Sequence, residues 1–345
     1  MNSSRISVCL PNYNHSRYLP GAVEALMAQS HRPHEIIIVD DASTDDSVCV
    51  IEKLCSKHPS IIFLRNEVNQ GCCHSTNRAI AAATGDFLFN TAADDLVLPG
   101  YFEKAVASLK KYPKAGVCVT QIKYIDHDGS PIPQEKLFHR FSLQKHVKIR
   151  IPCLLEPDAV ITRLKRQPWF LNGGPSPLYR REVILDAGGW HDELGPYTDW
   201  FNVHFAALKY GMVYIPEPLV AFRVNLGGFG ETATRNPFTA IEMLGKCLAL
   251  MRRPEFREVF PASFIRRKES DFAYFALAGS LNGAYRNLRL AADQLMPPSS
   301  AIDRAALFAF GFLHQAFKAV LMMYCRWKRR DIQWSEVSRD SHRDD

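Results

Sequence analysis

EIIIVDDASTD, at residues 35–45, carries the clearest structural signal in this chain. Its β-branched first half is typical of a strand buried on both faces, as central strands of a parallel sheet are. Two carboxylates, Asp40 and Asp41, follow where that strand ends. Residues 43–45, Ser-Thr-Asp, favour the start of a helix. The stretch therefore predicts a strand, an acidic turn and a helix in succession.

The same alternation of strand and helix extends in both directions. The predicted strands cover residues 6–10, 35–40, 61–64, 87–89 and 116–120. The predicted helices cover residues 19–30, 46–56, 73–83 and 100–111. Alternating elements of this kind predict an α/β fold in which helices cover both faces of a mainly parallel sheet.

The alternation weakens after about residue 130, and the last third of the chain has a helical pattern with little strand signal. We therefore expect one α/β domain at residues 1–235, followed by a helical C-terminal region at residues 236–345. The length is ample for a sizeable buried core.

Three polar clusters follow predicted strands: Pro11 to Asn14, Asp40-Asp41, and Asp94-Asp95. Ligands of open parallel sheets bind beyond the carboxyl ends of the strands, where these clusters would meet. Carboxylates after a buried strand can accept hydrogen bonds from a base or a ribose, although Asp40-Asp41 also suits a helix start. The Asp94-Asp95 pair suits a hard divalent cation on a diphosphate, and a solvated turn is the alternative.

Composition and charge limit the function classes. A net charge of +6 on 345 residues is mild and does not indicate a nucleic-acid-binding protein. The nine cysteines are scattered, which does not predict a zinc site and is typical of a reducing compartment. The N-terminal residues lead into the first strand without an apolar segment, so we expect a cytoplasmic protein.

Several motifs together resemble family 2 glycosyltransferases over roughly residues 5–227. The first half contributes ISVCLPNYN at 6–14, IVDDASTD at 38–45, NQG at 69–71 with Asn77, TGD at 84–86, and ADD at 93–95 with Pro99. The second half contributes GGWHD at 188–192, Thr198-Asp199, and IPEP at 215–218 with Arg223. Each motif is modest alone, but their order and spacing are specific.

The resemblance implies a GT-A fold with a Rossmann-like nucleotide-binding half at residues 1–120 and an acceptor half at 121–235. It implies transfer of a sugar, with inversion, from a nucleoside diphosphate donor to a hydroxyl group. A UDP-sugar is the first candidate donor, and a glycan or lipid-linked acceptor in surface polysaccharide synthesis is the expected acceptor.

The resemblance also assigns roles by position. Pro11, Tyr13 and Asp41 match nucleotide-binding residues. Asp94 and Asp95 match the acidic motif that meets the ribose, the diphosphate and a divalent cation, Mg²⁺ or Mn²⁺, with Asp95 as the metal ligand.

Asp199 matches the general base of the family. Inverting transfer needs one carboxylate to accept the proton of the attacking hydroxyl. Tyr197 and Trp200 adjoin Asp199 in sequence, where aromatic rings could stack on a sugar or shield the carboxylate. Partial burial would raise the pKa of Asp199. Residues 173–176, Gly-Gly-Pro-Ser, are expected near the junction of donor and acceptor, and a loop without a functional role is the alternative for this segment. For Asp199 the alternative is that it is the N-cap of a helix at 200–210.

Three positions depart from the family pattern. Ala92 and Thr198 stand where acidic residues are frequent, and Asn225 stands where His is frequent. These departures motivate a second hypothesis, a nucleotide-sugar-binding protein with impaired catalysis. A nucleotidyltransferase is a third alternative, but it would need a glycine-rich phosphate loop after the first strand, and residues 11–14 contain no glycine.

Residues 308–330 are rich in Phe, Leu, Met and Ala and end in a basic segment that contains Trp327. His314, Gln315 and Lys318 make this stretch too polar for a transmembrane span. A helix of this kind can lie on an anionic membrane surface, which would suit a lipid-linked acceptor. A core helix or a dimer contact is the alternative.

Overall fold

The computed structural model describes residues 4–133, 149–167, 170–171, 173–224 and 237–269. The chain separates into two compact units, Met1–Thr232 and Ala233–Asp345.

The first half of the larger unit is a parallel sheet. Its strands are β1 (Ile6–Asn12), β2 (Glu35–Asp40), β3 (Ile61–Arg65) and β4 (Phe87–Asn90), in the spatial order β3-β2-β1-β4. The helices that connect and follow these strands are α1 (Leu19–Met27), α2 (Ser47–Lys57), α3 (Cys72–Ala82) and α4 (Tyr101–Lys111). Every residue of β2 is buried, as its β-branched sequence predicts.

The second half extends the same sheet with mixed strand directions. Its strands are β5 (Leu96–Val97), β6 (Val117–Ile125), β7 (Cys153–Leu155), β8 (Leu178–Arg180) and β9 (Met212–Arg223). Strand β8 lies antiparallel between β4 and β6, and β9 runs parallel to β6. Helices α5 (Pro157–Arg166), α6 (Arg181–Asp186) and α7 (Thr198–Tyr210) belong to this half.

The predicted fold class is confirmed: the sheet is mixed but mostly parallel, and helices flank it. Each antiparallel pairing joins no more than three residue pairs, whereas the parallel pairing of β6 with β9 joins nine. The predicted end of the first strand at residue 10 is wrong, because β1 continues through Pro11 and Asn12. Pairing with β4 ends at Cys9, so beyond that residue one edge of β1 needs no N–H donor and tolerates proline.

The core of this unit forms where strand and helix faces meet. Phe89 of β4 packs against Tyr101 and Phe102 at the start of α4, with ring centroids 5.2 Å apart in both pairs. The buried Tyr101 hydroxyl donates to the main-chain oxygen of Ser176 at 2.7 Å. This bond ties the loop before β8 to the helix that follows the acidic pair.

The described part of the smaller unit is helical, with a long helix over Pro237–Met251 and a short 3-10 helix at Pro254–Phe256. No helix in the described ranges is both long and apolar enough to cross a membrane. Residues 308–330, for which a membrane contact is predicted, lie outside the described residues.

Candidate active site

The carboxyl ends of β1 and β2 are joined side by side. Asn12 pairs with Asp40 in the parallel register, and its amide Nδ2 donates to Asp40 Oδ1 at 2.8 Å. The main-chain N–H of Asp41 donates to the main-chain oxygen of Asn12 at 2.8 Å. The first two predicted clusters therefore lie in contact.

The loop after β1 is hydrogen-bonded to the turn after β2. Asn14 has a φ of 56°, a left-handed conformation that asparagine tolerates. Its side-chain oxygen accepts the N–H of Thr44 at 2.7 Å, and its own N–H donates to Ser43 Oγ at 2.9 Å. Tyr13 is 44% exposed beside this contact, so its ring is accessible to a ligand. Pro11 is half-buried next to it.

Asp41 is buried, and both of its carboxylate oxygens accept hydrogen bonds. Oδ1 accepts from Asn66 Nδ2 at 2.6 Å and from the N–H of Gln70 at 2.9 Å, while Oδ2 accepts from the N–H of Gly71 at 2.8 Å. Gly71 has a φ of 93°, which requires glycine. Asp41 thus holds in place the segment that leads into α3.

The helix-start interpretation of residues 43–45 holds for one of them. Asp45 Oδ1 accepts the N–H of Ser47, the first residue of α2, at 2.9 Å. Ser43 and Thr44 instead bind the loop that contains Asn14. The start of α2 is therefore fixed by one carboxylate, and the two hydroxyl residues connect β1 to β2.

The third cluster, Asp94 and Asp95, is held by Arg223 at the end of β9. The N–H of Arg223 donates to Asp95 Oδ1, and its Nε donates to the main-chain oxygen of Asp94, both at 2.9 Å. Its Nη1 donates to the main-chain oxygens of Asp126 and His127 at 2.6 and 3.0 Å. One buried arginine therefore fixes the carboxylate of Asp95 and the main chain of Asp94.

The pKa of Asp95 lies well above its ordinary value. Burial is the largest cause, followed by the negative charge of Asp94, and Asp199 adds to the effect. The hydrogen bond and the charge of Arg223 oppose this rise. The two ends of the predicted site therefore interact electrostatically.

Asp199 lies in the first turn of α7 and is half-buried. Its Oδ1 accepts the indole N–H of Trp190 at 3.1 Å, and the carboxylate also accepts the N–H of Gly174. Burial raises the pKa of Asp199 to about 6, while these two hydrogen bonds hold it lower than burial alone would. The predicted rise in its pKa is thus confirmed. The N-cap interpretation is wrong, because α7 begins at Thr198.

The glycine-containing loop lies against Asp199. A Cβ atom on Gly173 would lie 2.5 Å from the Cβ of Asp199, so only glycine fits there without a shift. The ring of Trp200 lies against that of His204, with a centroid distance of 4.0 Å and an interplanar angle of 35°. An aromatic residue that contacts the Asp199 carboxylate is Trp190.

Three of the predicted acids influence the pKa of Cys72, the first residue of α3. The pKa of the half-buried Cys72 thiol is raised to about 12, first by burial and then by the charges of Asp199, Asp41 and Asp94. Carboxylates that follow β2 and β4 and a carboxylate of α7 therefore all act electrostatically on one thiol.

Comparison with known sequences identifies the family. Residues 7–183, just over half of the chain, match Glycosyl transferase family 2. The chain belongs to this family. An uncharacterized glycosyltransferase of Nostoc sp. is 32% identical over 180 residues, which are 52% of each chain. The chondroitin synthase of Escherichia coli is 28% identical over 127 residues, 37% of this chain and 18% of that one. The chain thus spans about half the length of the first of these family 2 relatives and less of the second.

Solved structures confirm the GT-A fold of this family 2 member. The mannosyltransferase PcManGT from Pyrobaculum calidifontis, in complex with GDP-Man and Mn²⁺, aligns with a TM-score of 0.58 at 18% identity, over 94% of this chain and 86% of that one. TarS 1–349 from S. aureus, in complex with UDP-GlcNAc, aligns with a TM-score of 0.59 at 17% identity, over 95% and 89%. At these identities the likeness concerns the fold.

A divalent cation fits the acidic pair of this glycosyltransferase family member. Asp94 and Asp95 are buried side by side, and a nearby cation would favour the ionised form of both. Within the described ranges, no group of three or more His, Cys, Asp or Glu side chains is placed to hold a metal ion. The protein would therefore supply one or two carboxylates, and the diphosphate and water would complete the shell, as is usual for Mg²⁺.

Sequence reasoning gave no specific role to three residues of this site: Trp190, Cys72 and Arg223. Trp190 and Arg223 belong to motifs of the family pattern, but their contacts cross 9 and 128 positions of the chain. No spacing in the sequence signals such contacts. The sequence does contain one local signal, the Gly188-Gly189 pair, which indicates a turn directly before Trp190. Both glycines have positive φ values in the structure.

Proposed function

We propose that this chain is an inverting glycosyltransferase. It transfers a sugar from a nucleoside diphosphate sugar, with a UDP-sugar as the first candidate, to a hydroxyl group of a glycan or a lipid-linked acceptor. The observation that supports this most strongly is the state of Asp199. Its carboxylate is half-buried, is held by Trp190 and interacts electrostatically with Asp95.

Asp199 would act as the general base. It takes the proton of the acceptor hydroxyl while that oxygen attacks the anomeric carbon, and the bond from this carbon to the diphosphate oxygen breaks. The diphosphate leaves with the electron pair, and attack from the opposite side inverts the configuration. A pKa of about 6 suits this role, because the group is ionised at neutral pH yet more basic than an ordinary aspartate.

The donor would bind along the ends of β1, β2 and β4. Tyr13 and Pro11 offer a surface beside the acidic turn, and Asp41 shapes the segment before α3. Asp94 and Asp95 would meet the ribose and the diphosphate. Asp95 would hold Mg²⁺ or Mn²⁺, which would neutralise the charge that develops on the departing diphosphate.

A donor-binding protein with impaired catalysis is the competing function, motivated by Ala92, Thr198 and Asn225. Thr198 is buried, and its Oγ1 accepts the N–H of His191 at 2.9 Å. Thr198 therefore holds the turn before α7 and has a structural role. With Thr198 in place of a second acid, Asp199 is the acidic residue of this pair that can act as the general base. Asn225 lies outside the described residues.

Two measurements test the proposal. Calorimetric titration with UDP, GDP and dTDP, each with and without Mn²⁺, should show metal-enhanced binding of one nucleotide. Release of that nucleotide from the matching sugar donor should then depend on an added acceptor or, more slowly, on water. Binding without any turnover would favour the impaired protein, and no binding of any nucleotide would refute both functions.

A lipid-linked acceptor would place the reaction on the cytoplasmic face of a membrane. We propose this location from the sequence of residues 308–330 alone. Co-sedimentation with anionic vesicles, compared with neutral vesicles, tests this location. Equal binding to the two kinds of vesicle, or no binding to either, would contradict an electrostatic membrane contact.

A further inference from the structure

Asn77, on α3, holds the main chain of Trp190 by two hydrogen bonds. Its Nδ2 donates to the Trp190 oxygen at 2.7 Å, and its Oδ1 accepts the Trp190 N–H at 2.8 Å. The pair spans 113 positions of the chain. A side-chain amide that meets both polar groups of one residue fixes its position and its orientation.

The neighbouring residue makes this contact tight. Gly189 has a φ of 80°, and a Cβ atom there would lie 2.7 Å from Asn77 Oδ1. The Gly189 oxygen accepts Nδ2 of the buried Asn202, on α7, at 3.1 Å. The turn before Trp190 is therefore clamped from α3 on one side and from α7 on the other.

This clamp orients the indole ring of Trp190. The side chain is 6% exposed and meets Tyr179 edge to face, with ring centroids 6.4 Å apart. Its Nε1–H points to Asp199 Oδ1 at 3.1 Å. A line of contacts thus runs from Asn77 through Trp190 to the carboxylate of Asp199.

Other groups also act on Asp199. Cys72 and Cys73 from α3, Tyr179 from β8, and Asp95 each have a pKa that the charge of Asp199 raises. None of these interactions favours the ionised carboxylate. The hydrogen bonds from Trp190 and from the N–H of Gly174 do favour it.

We propose that Asn77 and Trp190 are positioning residues for the transfer reaction: Asn77 fixes the Trp190 main chain, and the Trp190 indole N–H holds Asp199 in the orientation that accepts the proton. The inference rests on the proposed role of Asp199 as the base. Asn77 and Trp190 would affect the orientation of the Asp199 carboxylate and its ionisation. Neither effect requires contact of Asn77 or Trp190 with the substrate.

Trp190→Phe is the first test, because it keeps an aromatic ring in the packing position and removes the N–H. We expect kcat to fall about tenfold, with the KM of the donor nearly unchanged, since one hydrogen bond to a charged group is lost. The acid limb of the pH profile of kcat should move to higher pH, because the ionised form of Asp199 loses a donor. Trp200→Phe removes an indole one residue from Asp199 and should leave the acid limb in place.

Asn77→Ala is the second variant and supplies a double-mutant cycle. We expect a several-fold loss of kcat from Asn77→Ala alone. Added to Trp190→Phe it should have little further effect, because no indole N–H remains to be positioned. Thermal melts of all variants show whether each one is folded.

The outcomes separate this inference from the proposed function. If Asp199→Asn abolishes transfer while Trp190→Phe keeps wild-type kcat and acid limb, the positioning role is wrong and the base assignment stands. If Asp199→Asn retains transfer, the base assignment itself is wrong. If Trp190→Phe does not fold, additive losses in a milder cycle of Asn77→Ser with Trp190→Tyr would overturn the inference.

Discussion

The main-chain N–H of Arg223 donates to Oδ1 of Asp95 across 2.9 Å, at the end of a strand 128 positions further along the chain. The guanidinium of the same arginine donates to the main-chain oxygens of Asp94, Asp126 and His127. Arg223 thus holds one carboxylate oxygen of Asp95 and the main-chain oxygen of Asp94.

Arg223→Met keeps a long side chain near the ring of Tyr18 but removes the donors to three carbonyl oxygens. We expect a loss of about 2–4 kcal/mol in the free energy of unfolding, together with weaker nucleotide binding. Chemical denaturation and calorimetry measure the two effects. Arg17→Met is the matched control, because its ion pair with Asp128 is exposed and contributes at most about 1 kcal/mol. Equal stability of the two variants would contradict the role of Arg223.

Asp95→Asn should remove the Mn²⁺ dependence of nucleotide binding. The asparagine can still accept the N–H of Arg223 but lacks the charge that a divalent cation needs. We expect the ratio of Kd values without and with Mn²⁺ to fall to near one, measured by calorimetry with the nucleotide that the wild type prefers. Asp86→Asn, at the opposite end of β4, should behave as wild type. Metal enhancement that persists in Asp95→Asn would remove the metal role.

Asp199→Asn should lower transfer by about 10²–10⁴-fold and leave nucleotide binding nearly intact. The same variant should be more stable than the wild type at pH 7. Because the pKa of Asp199 is raised on folding, from 3.8 to about 6, its ionised form destabilises the folded state. With allowance for its partial exposure, we expect a gain of about 1–2 kcal/mol.

Kinetic assays and thermal melts check these two effects. Asp192→Asn, an exposed acid in the turn before α7, is the control. A loss of both activity and stability would indicate a structural role for Asp199. The stability gain should shrink as the pH falls below 6 and disappear below about pH 3, where the carboxylate is protonated in both the folded and the unfolded state.

The pH dependence of transfer should show an acid limb near pH 6. The base accepts a proton only when ionised, so kcat should fall about tenfold for each pH unit below the pKa of Asp199. Initial rates at saturating donor between pH 4.5 and 8 test this. A rate that stays flat down to pH 5 would show that another group, or a less buried Asp199, accepts the proton.

Gly173→Ala should displace Asp199 while leaving its carboxylate chemically unchanged. The added methyl group would lie 2.5 Å from the Cβ of Asp199 and 2.9 Å from the N of Trp200, so the loop or α7 has to shift. We expect at least a tenfold loss of kcat and a lower melting temperature. Gly245→Ala, at an open position in the helix over Pro237–Met251, should instead stabilise that helix slightly. Wild-type kcat in Gly173→Ala would mean that the loop does not constrain Asp199.

The sequence alone predicted the strands and helices of the parallel half of the sheet and the acids that follow its strands. Buried parallel strands are continuous apolar runs, and β2 at Glu35–Asp40 has such a run. Because parallel strands end at one edge, the sequence predicts that Asp41 and Asp94 lie at the same edge of the sheet. The family motifs then added Asp199 as a third acid.

Tertiary structure decided how those acids are held. Strands β7 and β8 have three residues each, and β9 contains Pro216 and Pro218, so their local patterns are weak and their pairing depends on distant partners. The contacts of Trp190 with Asn77 and Asp199, and of Arg223 with Asp95, join residues that no sequence period relates. Periodicity reports which face of an element is buried, whereas the partner of a buried polar group is set by packing.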